Sequence, residues 1–352
     1  MHMHQRRRPA CLLLVVALAA LTAACGGGDK KAATKATATT AAPSTTAPLG
    51  NGGAPLTGLP RTDEAKLARA AMIVKIDNAP KGRPQAGINQ ADVVVEEGVE
   101  GGITRLAVVF HSQDPAADTV GPVRSARTTD IFIAAPMNRP LFAWSGANAD
   151  FAKLVREAPL VDVGISAKPS PYRRERGRPA LYNLFASFSG LYAGSAGGGP
   201  PPPLFAYRAD TEAVANSEPA TKAHMQWKDK VRTDVDWAWD AASTTWKRVQ
   251  NGTPHVDNTG AQVSAKNVVI QFATYHDTGY RDQSNTIVPE ADLVGEGDVW
   301  VLTDGKVVKG KWSRANREAV TSYVDVSGNP IKLTPGQTWL ELPKPGDATV
   351  AA

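Results

Sequence analysis

The stretch VVVEEGVEGGITRLAVVF, residues 93–110, predicts two apolar strands joined by a glycine-rich turn. Both strands are hydrophobic enough for a buried sheet, yet the stretch carries four charged side chains: Glu96, Glu97, Glu100 and Arg105. An ionised group among apolar neighbours costs several kcal/mol unless it is paired or hydrogen-bonded. We therefore expect these charges either to pair with one another or to lie at a strand end that opens on water.

The strand pattern also predicts on which face of the sheet each charge lies. Successive side chains of a strand alternate between the two faces. Glu96 and Glu100 should therefore share the face of Val94, whereas Glu97 should lie on the opposite face with Val93. The glycines of the turn interrupt the regular strand and allow another backbone to approach closely, which favours a water-facing strand end for the glutamates.

The surrounding residues, 56–205, predict an α/β (α+β) N-terminal domain with a mixed sheet flanked by helices. Strands are predicted at 71–77, 91–99, 103–110 and 140–146. Apolar residues recur at helical spacing over 149–158 and 181–192, and Asn148 is a suitable N-cap for the first of these helices. Core packing explains both helical stripes.

A Gly- and Pro-rich loop at 194–203 precedes a change of pattern, and residues 206–345 predict a β-rich, mostly antiparallel C-terminal domain followed by a tail at 346–352. Strands are predicted at 267–275, 321–326 and 338–342, with a hairpin on Asp304 and Gly305 across 298–312. Seven of the eight tryptophans lie from Trp227 onward. Cross-strand packing explains them, and a sugar-stacking platform is the alternative.

The N-terminus predicts an exported lipoprotein. Three arginines at 6–8 precede an apolar run at 11–21 that ends in TAAC, a pattern typical of a bacterial signal peptide and lipobox over residues 1–25. Cys25 would then carry the lipid and anchor the protein to the extracytoplasmic face of the cell membrane. Residues 26–55 are rich in Ala, Thr, Pro and Gly and predict a disordered tether.

Charge and cysteine content narrow the possible functions of the mature chain. Removal of residues 1–24 takes away three basic residues and no acidic one, so the formal net charge of +5 falls to +2. A nearly neutral chain lacks the concentrated basic face that nucleic-acid binding requires. Cys11 lies in the signal and Cys25 would be lipidated, so the sequence predicts neither a disulfide nor a cysteine metal site.

Several segments in a fixed order resemble the YerB-like lipoproteins of Gram-positive bacteria, a family of unknown function. They are IDNAPKGRPQAGINQADVVVEEGVEGGITRLAVVF (76–110), VGPVRSART (120–128), RPALYNLFA (178–186), TWKRVQNGTPHVDNTGAQVSAKNVVIQF (245–272) and VDVSGNPIKLTPGQTWLEL (324–342). The resemblance covers about residues 56–343. It implies a lipid-anchored envelope protein with an N-terminal α/β domain and a β-rich C-terminal domain, and it supplies no catalytic residue.

Polar residues follow the predicted strands of the N-terminal domain and suggest one binding site. Side chains that follow neighbouring strands gather on one rim, and open α/β sheets bind ligands at such rims. Arginines with carboxylates and amides suit an anionic or glycan ligand, an anionic wall polymer or an envelope protein. The candidate binding residues are Asp77, Asn78, Arg83, Gln85, Glu96, Glu100, Arg105, Arg124, Ser125, Arg127 and Asn183.

Two other interpretations of these residues stay open. The charges could form an internal salt-bridge network, so that the protein is a structural scaffold. Alternatively, Asp77, Glu96, Glu97 and Glu100 could supply the carboxylate pair of a hydrolase that acts on wall glycan or phosphoester, or a Mg²⁺ or Ca²⁺ site. The histidines lack zinc-site spacing and no G-x-S-x-G motif occurs. We therefore predict a non-enzymatic binding protein with no catalytic residue, cofactor or metal ligand.

Overall fold

The computed structural model describes residues 51–147, 149–282 and 285–352. The predicted signal, Cys25, nearly all of the predicted tether and the N-cap Asn148 lie outside these ranges and stay predictions. Within them far more residues lie in strands than in helices, and the helices are short. No helix in the described ranges has the length and hydrophobicity of a membrane span.

The strands are numbered in chain order. Those before residue 210 are β1 (Met72–Asp77), β2 (Val93–Gly98), β3 (Thr104–Phe110), β4 (Thr119–Val120), β5 (Leu141–Ala143), β6 (Val161–Asp162), β7 (Tyr172–Arg174), β8 (Leu184–Ser187) and β9 (Ala206–Tyr207). Those after it are β10 (Glu218–Pro219), β11 (Lys222–Lys228), β12 (Arg232–Asp240), β13 (Thr245–Gln250), β14 (Thr253–Pro254), β15 (Ser264–Ala265), β16 (Asn267–Gln271), β17 (Tyr275–Arg281), β18 (Ile287–Ala291), β19 (Gly295–Thr303), β20 (Lys306–Arg314), β21 (Ser322–Asp325), β22 (Lys332–Leu333), β23 (Thr338–Leu342) and β24 (Ala348–Ala351).

The helices all lie in the first half of the described chain. The α-helices are α1 (Glu64–Leu67), α2 (Thr128–Ala134), α3 (Ala149–Glu157) and α4 (Phe188–Tyr192). Short 3₁₀ turns occur at Pro80–Gly82, Ile88–Gln90, Glu100–Gly102 and Ala135–Met137.

The stretch that carries the four charges forms the middle of the main sheet. β2 and β3 pair antiparallel, and β1 pairs antiparallel with the other side of β3, so that Val108 lies between Val94 and Val74. Every residue of these three strands is buried. Strands that are covered on both faces read as nearly continuous apolar runs, which explains their sequence. The strands predicted at 71–77, 91–99 and 103–110 are confirmed.

The main sheet continues into the C-terminal part of the chain. Its order is β10-β20-β19-β16-β23-β2-β3-β1-β5-β6, with β21 paired to β20. β23 lies between β2 and β16 and is parallel to both, with Leu340 beside Val95 and Val269. The prediction of a mostly antiparallel C-terminal part therefore needs a correction at β23. The two predicted parts share one hydrogen-bonded sheet.

A second sheet, of order β14-β13-β12-β11-β24 with β15 paired to β13, packs its apolar side chains into the same core as one face of the main sheet. Trp237, Trp246 and Trp339 lie in this core and are completely buried. They pack with Val74 and Val94 of the main sheet. These three tryptophans are core residues, so the alternative of a sugar-stacking platform is wrong for them.

Helices pack on the opposite face of the main sheet. Ile133 of α2 and Val155 of α3 belong to the same apolar cluster as Ile73 and Val95. The helix predicted over 149–158 is confirmed as α3. The prediction of a sheet flanked by helices is not confirmed, because short helices pack on this face whereas a second sheet covers the other.

The helix predicted over 181–192 is wrong for its first half. Leu184–Ser187 form β8, which pairs with β7 and β4. The Ser187 hydroxyl accepts a hydrogen bond from Gly190 N at 3.1 Å and caps the short helix α4. Because Ser187 is extended and caps the helix, the helix begins only at Phe188.

The hairpin predicted on Asp304 and Gly305 is confirmed. Thr303 and Lys306 are the last paired residues of β19 and β20. Asp304 and Gly305 have φ values of 52° and 67°. These left-handed conformations are those of a two-residue hairpin turn, which favours an Asp-Gly sequence.

Candidate functional site

The predicted rim is the edge at which β1 and β2 end and β3 begins. β1 and β2 both run antiparallel to β3, so their carboxyl ends meet at one edge. In this register Arg105 lies opposite Asp77 on one side and opposite Glu97 on the other. The fold therefore gathers charges from three strands into a small region.

The charges separate into groups on the two faces of the sheet. Glu96 and Glu97 point to opposite faces, as predicted, and both are completely buried. Glu100 departs from the predicted alternation, because the strand ends at Gly98 and Glu100 begins a 3₁₀ turn. It pairs with Arg127, which precedes α2.

The group around Glu96, called here the Glu96 network, joins the two parts of the chain. The Glu96 carboxylate accepts hydrogen bonds from Asn78 Nδ2 at 2.9 Å and from Thr104 Oγ1 at 2.6 Å. It also forms an ion pair with Arg248 of β13. All members are buried: Asn78, Gln85, Glu96, Thr104, Arg248, Gln250, His255 and Glu341.

His255 extends the network as a neutral link. Its Nε2 lies 2.7 Å from the side-chain oxygen of Gln85, and its Nδ1 contacts the guanidinium of Arg248. Since an amide oxygen can only accept and a guanidinium can only donate, Nε2 carries the proton and Nδ1 accepts. Burial, with Arg248 and Arg83 nearby, holds the pKa of His255 well below its ordinary value.

Glu341 lies beside Glu96 as its cross-strand partner on β23. Its Oε1 accepts a hydrogen bond from Trp237 Nε1 at 2.8 Å. Burial first, and then the neighbouring Glu96 carboxylate, raise the pKa of Glu341 well above its ordinary value. Two adjacent carboxyls in a dry site cannot both ionise cheaply, so this arrangement favours the protonated form of Glu341.

On the other face, Lys75, Glu97 and Asp130 form the Lys75 cluster. Lys75 Nζ contacts Glu97 Oε1 and lies 2.8 Å from Asp130 Oδ1, and all three side chains are buried. Asp130 Oδ2 also accepts a hydrogen bond from Arg127 N at 2.6 Å in a capping box at the start of α2. Burial, followed by the repulsion of Asp130 against the attraction of Lys75, raises the pKa of Glu97 to about 7.

Four arginines line a cavity of about 140 Å³, called here the arginine pocket: Arg105, Arg124, Arg127 and Arg281. Arg124 Nε lies 2.6 Å from Asp77 Oδ2, and Arg127 holds both oxygens of Glu100 at 2.6 and 2.7 Å. The lining residues are Arg105, Arg124, Ser125, Ala126, Arg127, Ala147, Phe151, Leu181, Tyr280, Arg281, Asp282 and Val288.

Arg105 differs from Arg124 and Arg127 because it has no carboxylate ion-pair partner among the described residues. Within the described ranges it forms no ion pair, and its guanidinium donates only from Nη1 to the Ser125 carbonyl, at 2.9 Å. Its Nε has no hydrogen-bond partner there, although the residue is only 5% exposed. Burial and the nearby Arg127 and Arg124 lower the pKa of Arg105 to about 9, and the carboxylates only partly offset this.

A larger cavity of about 290 Å³ lies on the other side of Glu100. Its walls come from the glycine-rich turn and from C-terminal residues such as Tyr275 and Lys228. Lys228 pairs with Asp347 at 3.2 Å, and the Tyr275 hydroxyl donates to the Leu342 carbonyl at 2.7 Å. Lys228, Asp347 and Tyr275 are therefore held by partners within the protein.

The predicted binding residues therefore do not form one site. Arg105, Arg124, Ser125 and Arg127 line the arginine pocket, with Asp77 and Glu100 as their internal partners. Three others belong to the buried Glu96 network and are not at a water-facing rim: Asn78, Gln85 and Glu96.

Arg83 and Asn183 lie in loops outside the lining of the arginine pocket. Arg83 is half-buried near Arg248 and Glu96, and burial lowers its pKa. The side-chain oxygen of Asn183 accepts a hydrogen bond from Arg174 at 2.9 Å.

Sequence reasoning missed the C-terminal residues of both sites. Arg248 lies two residues after Trp246 on β13 and so shares its face of the strand, and this spacing could have predicted that Arg248 points into the core. The contribution of β17 and β18 to the arginine pocket, through Tyr280 and Val288, left no comparable signal. Within the described ranges no group of three His, Cys, Asp or Glu side chains is arranged to hold a metal ion.

Comparisons with known proteins agree with this fold. The model described as "Protein of unknown function (DUF3048) N-terminal domain" matches residues 56–200, and the corresponding C-terminal domain model matches residues 223–340. The Bacillus subtilis (strain 168) protein named "Putative lipoprotein YerB" is 28% identical over 303 residues, which cover 82% of this chain and 85% of that protein.

The crystal structure of the YerB protein from Bacillus subtilis is similar to this chain, with a TM-score of 0.72 and 24% sequence identity. The match covers 85% of this chain and 99% of the YerB chain. At this identity the similarity shows the fold alone. The two family models correspond to the two parts that share the main sheet. The chain therefore belongs to the DUF3048 family, a family of unknown function.

Proposed function

We propose that this lipoprotein is a non-enzymatic binding protein of the cell envelope, and that the arginine pocket holds an anionic group of its ligand. Cys25 would anchor the protein by lipid at the extracytoplasmic face, where cell-wall glycan, anionic polymers and envelope proteins are the available partners. Residues 26–55 would act as the spacer between the membrane and the folded residues.

Arg105 is the observation that carries this proposal. Asp77 and Glu100 form ion pairs with Arg124 and Arg127, whereas the buried guanidinium of Arg105, in the wall of the same cavity, forms none with any described residue. An unpaired buried charge costs several kcal/mol, which a folded protein retains most readily where a ligand supplies the partner. A bound carboxylate or phosphate oxygen would supply that partner through charge-assisted hydrogen bonds.

The rest of the pocket suggests what is attached to the anionic group. Phe151, Tyr280 and Val288 supply apolar surface beside the arginines. Leu181 is 60% exposed at the edge and has a left-handed φ of 72°, an unfavourable conformation for an exposed leucine. A ligand with an apolar or ring-shaped body next to its anionic group, such as an acidic sugar, fits this combination.

The positions of the carboxylates favour binding over hydrolysis. Glu96 and Glu97 are completely buried on opposite faces of the sheet, so they do not flank a common substrate space. Asp77 and Glu100 are each held by an arginine. A general acid needs a proton within reach of the substrate, and none of these four groups offers one in the pocket.

A structural role is supported separately for the Glu96 network. Its bonds join Asn78 and Glu96 of the N-terminal part to Arg248 and Gln250 of the C-terminal part inside the core. The hydrogen bonds of a buried polar network form only in one arrangement of the core and therefore favour it over others. The Glu96 network is therefore suited to holding the N-terminal and C-terminal parts in one alignment, and the arginine pocket is suited to binding the ligand.

The experiment compares ligand binding with stability in Arg105→Gln. Titration calorimetry with phosphate, acetate and N-acetylmuramic acid, a wall sugar that carries a carboxylate, should detect binding to the wild type. Arg105→Gln should abolish this binding. Because the substitution removes an uncompensated buried charge, its melting temperature should equal or exceed that of the wild type.

Arg173→Gln is the matched control, since Arg173 is an exposed arginine outside the pocket and its loss should leave binding unchanged. Anions that bind should also raise the melting temperature of the wild type but not that of Arg105→Gln. A large loss of stability in Arg105→Gln would show that Arg105 is structural. Equal anion binding by both proteins would exclude the pocket as the site.

A further inference from the structure

The Lys75 cluster is the group of buried reactive side chains that the anion pocket does not require. An amine, Lys75, lies between two carboxyls, Glu97 and Asp130, and none of the three reaches solvent. Anion binding in the arginine pocket does not require the Lys75 amine to lie 2.8 Å from a carboxyl oxygen of Asp130 inside the core. Well-packed apolar side chains in place of these charged ones would stabilise the core equally well or better.

The three side chains are held by different elements, so their positions are fixed by the fold. Lys75 lies in β1 and Glu97 in β2, on either side of β3, and Asp130 lies in the first turn of α2. The hydrogen bond from Arg127 N to Asp130 Oδ2 directs the other oxygen, Oδ1, toward Lys75 Nζ. The amine and the carboxyl carbon of Asp130 are therefore positioned for reaction.

We propose that Lys75 and Asp130 condense to form an intramolecular isopeptide bond between Lys75 Nζ and Asp130 Cγ, with Glu97 as the proton carrier. The bond would cross-link the second half of β1 to the start of α2. It would be a modification site within the chain and needs no cofactor.

The reaction balances without another reactant. Glu97 accepts a proton from the Lys75 ammonium, and the neutral amine then attacks Asp130 Cγ. The N–C bond forms while the developing negative charge on Oδ2 is stabilised by the Arg127 N–H. The C–Oδ1 bond breaks, Oδ1 receives the proton from Glu97 and another from the amine nitrogen, and one water leaves. An ammonium and a carboxylate become one neutral amide.

The buried site favours amide formation, although in water the reverse reaction, hydrolysis, is normally favoured. Fixed neighbouring groups react with effective concentrations of about 10⁵–10⁸ M, which offsets the unfavourable equilibrium of amide formation. The product also removes two charges from a core in which ionised groups are poorly solvated. The oxygen that remains on Asp130 keeps its hydrogen bond from Arg127 N, so the cap of α2 survives.

Glu97 has the properties that a proton carrier needs. Burial raises its pKa to about 7, so protonated and ionised forms are both accessible near neutral pH. Its Oε1 contacts Lys75 Nζ, while its Oε2 has no hydrogen-bond partner within the described residues. Asp130, by contrast, has both oxygens held, which suits the group that is attacked.

Tryptic digestion of the denatured full-length protein tests the bond directly. Trypsin cleaves after an unmodified lysine, so a chain without the bond releases the hexapeptide AAMIVK, residues 70–75. With the bond, cleavage after Lys75 is blocked, and residues 70–81 should be found joined to residues 128–153 at a mass one water below their sum. Fragmentation of this species should locate the link at Lys75 and Asp130.

Glu97→Gln is the matched variant, because it keeps the shape of the side chain and removes the proton carrier. It should release AAMIVK and yield no joined species, as should Asp130→Ala. The wild-type digest is informative even if a variant fails to fold. Quantitative release of AAMIVK from the wild type would overturn the proposal, and so would a link from Lys75 to Glu97 or unchanged linkage in Glu97→Gln. These outcomes are independent of anion binding.

Discussion

Replacement of Arg248 by Met should be among the most destabilising single changes in the core. The guanidinium of Arg248 is completely buried and is the cation that compensates Glu96. Without it the Glu96 carboxylate retains only the hydrogen bonds from Asn78 and Thr104, beside a second carboxyl on Glu341. Met fills much of the space of the arginine stem, so the expected loss is mainly electrostatic.

The magnitude follows from burial. Removal of one partner of a buried ion pair costs roughly 3–5 kcal/mol, because the other charge is left uncompensated. The exposed pair of Lys309 and Glu218 provides the comparison, since its side chains are 47% and 66% exposed. Lys309→Met should therefore cost only about 0–1 kcal/mol.

Urea unfolding followed by tryptophan fluorescence measures both effects. The Arg248 guanidinium lies 5.0 Å from the centre of the Trp339 ring, so the emission also reports whether the local core is intact. The double variant Glu96→Gln with Arg248→Met removes both charges and should regain much of the lost free energy of unfolding. If Arg248→Met lowered the free energy of unfolding by less than about 1 kcal/mol, the loss would equal that of an exposed ion pair, and Arg248 would not be compensating a buried charge.

Three further outcomes are expected. Gly101→Ala should lower the free energy of unfolding by roughly 1–2 kcal/mol, which is the backbone strain of a left-handed residue. Gly102→Ala should lower it more, because the added Cβ would also lie 2.1 Å from Val231 O. Equal losses for the two variants in urea unfolding would contradict this. Burial lowers the pKa of His111 from 6.5 to about 4, so stability should fall as pH drops through that range, and His111→Gln should flatten part of that slope. Cys25→Ala should release the protein into the medium, and unchanged membrane fractionation would argue against lipidation there.

Local patterns predicted the parts of the fold that depend on neighbouring residues. Alternation along β2 correctly assigned Glu96 and Glu97 to opposite faces, because side-chain direction in a strand depends only on position. The Asp304-Gly305 turn was predictable because few sequences adopt its two left-handed residues. The same alternation wrongly placed Glu100 on the face of Glu96, because alternation no longer applies once the strand ends at Gly98.

The parts that could not be predicted depend on contacts between distant residues. The partner of Glu96 is Arg248, which follows 152 positions later, and no local pattern pairs two such residues. Likewise, the apolar run of β23 does not indicate whether the strand pairs parallel or antiparallel. The helix predicted over 181–192 failed because a helical and an extended arrangement can bury the same apolar residues, and pairing with β7 and β4 decided between them.

The position of β23 in the main sheet affects the order in which the chain can fold as it is synthesised. β2 is synthesised early, but its neighbour β23, Thr338–Leu342, is made about 240 residues later. Until then one edge of β2 lacks its hydrogen-bonding partner and stays open to non-native pairing. Such late closure between distant segments slows folding. A chain that is truncated before β23 would therefore leave the N-terminal strands exposed as well, so we expect damage at the far end of the gene to remove the whole protein.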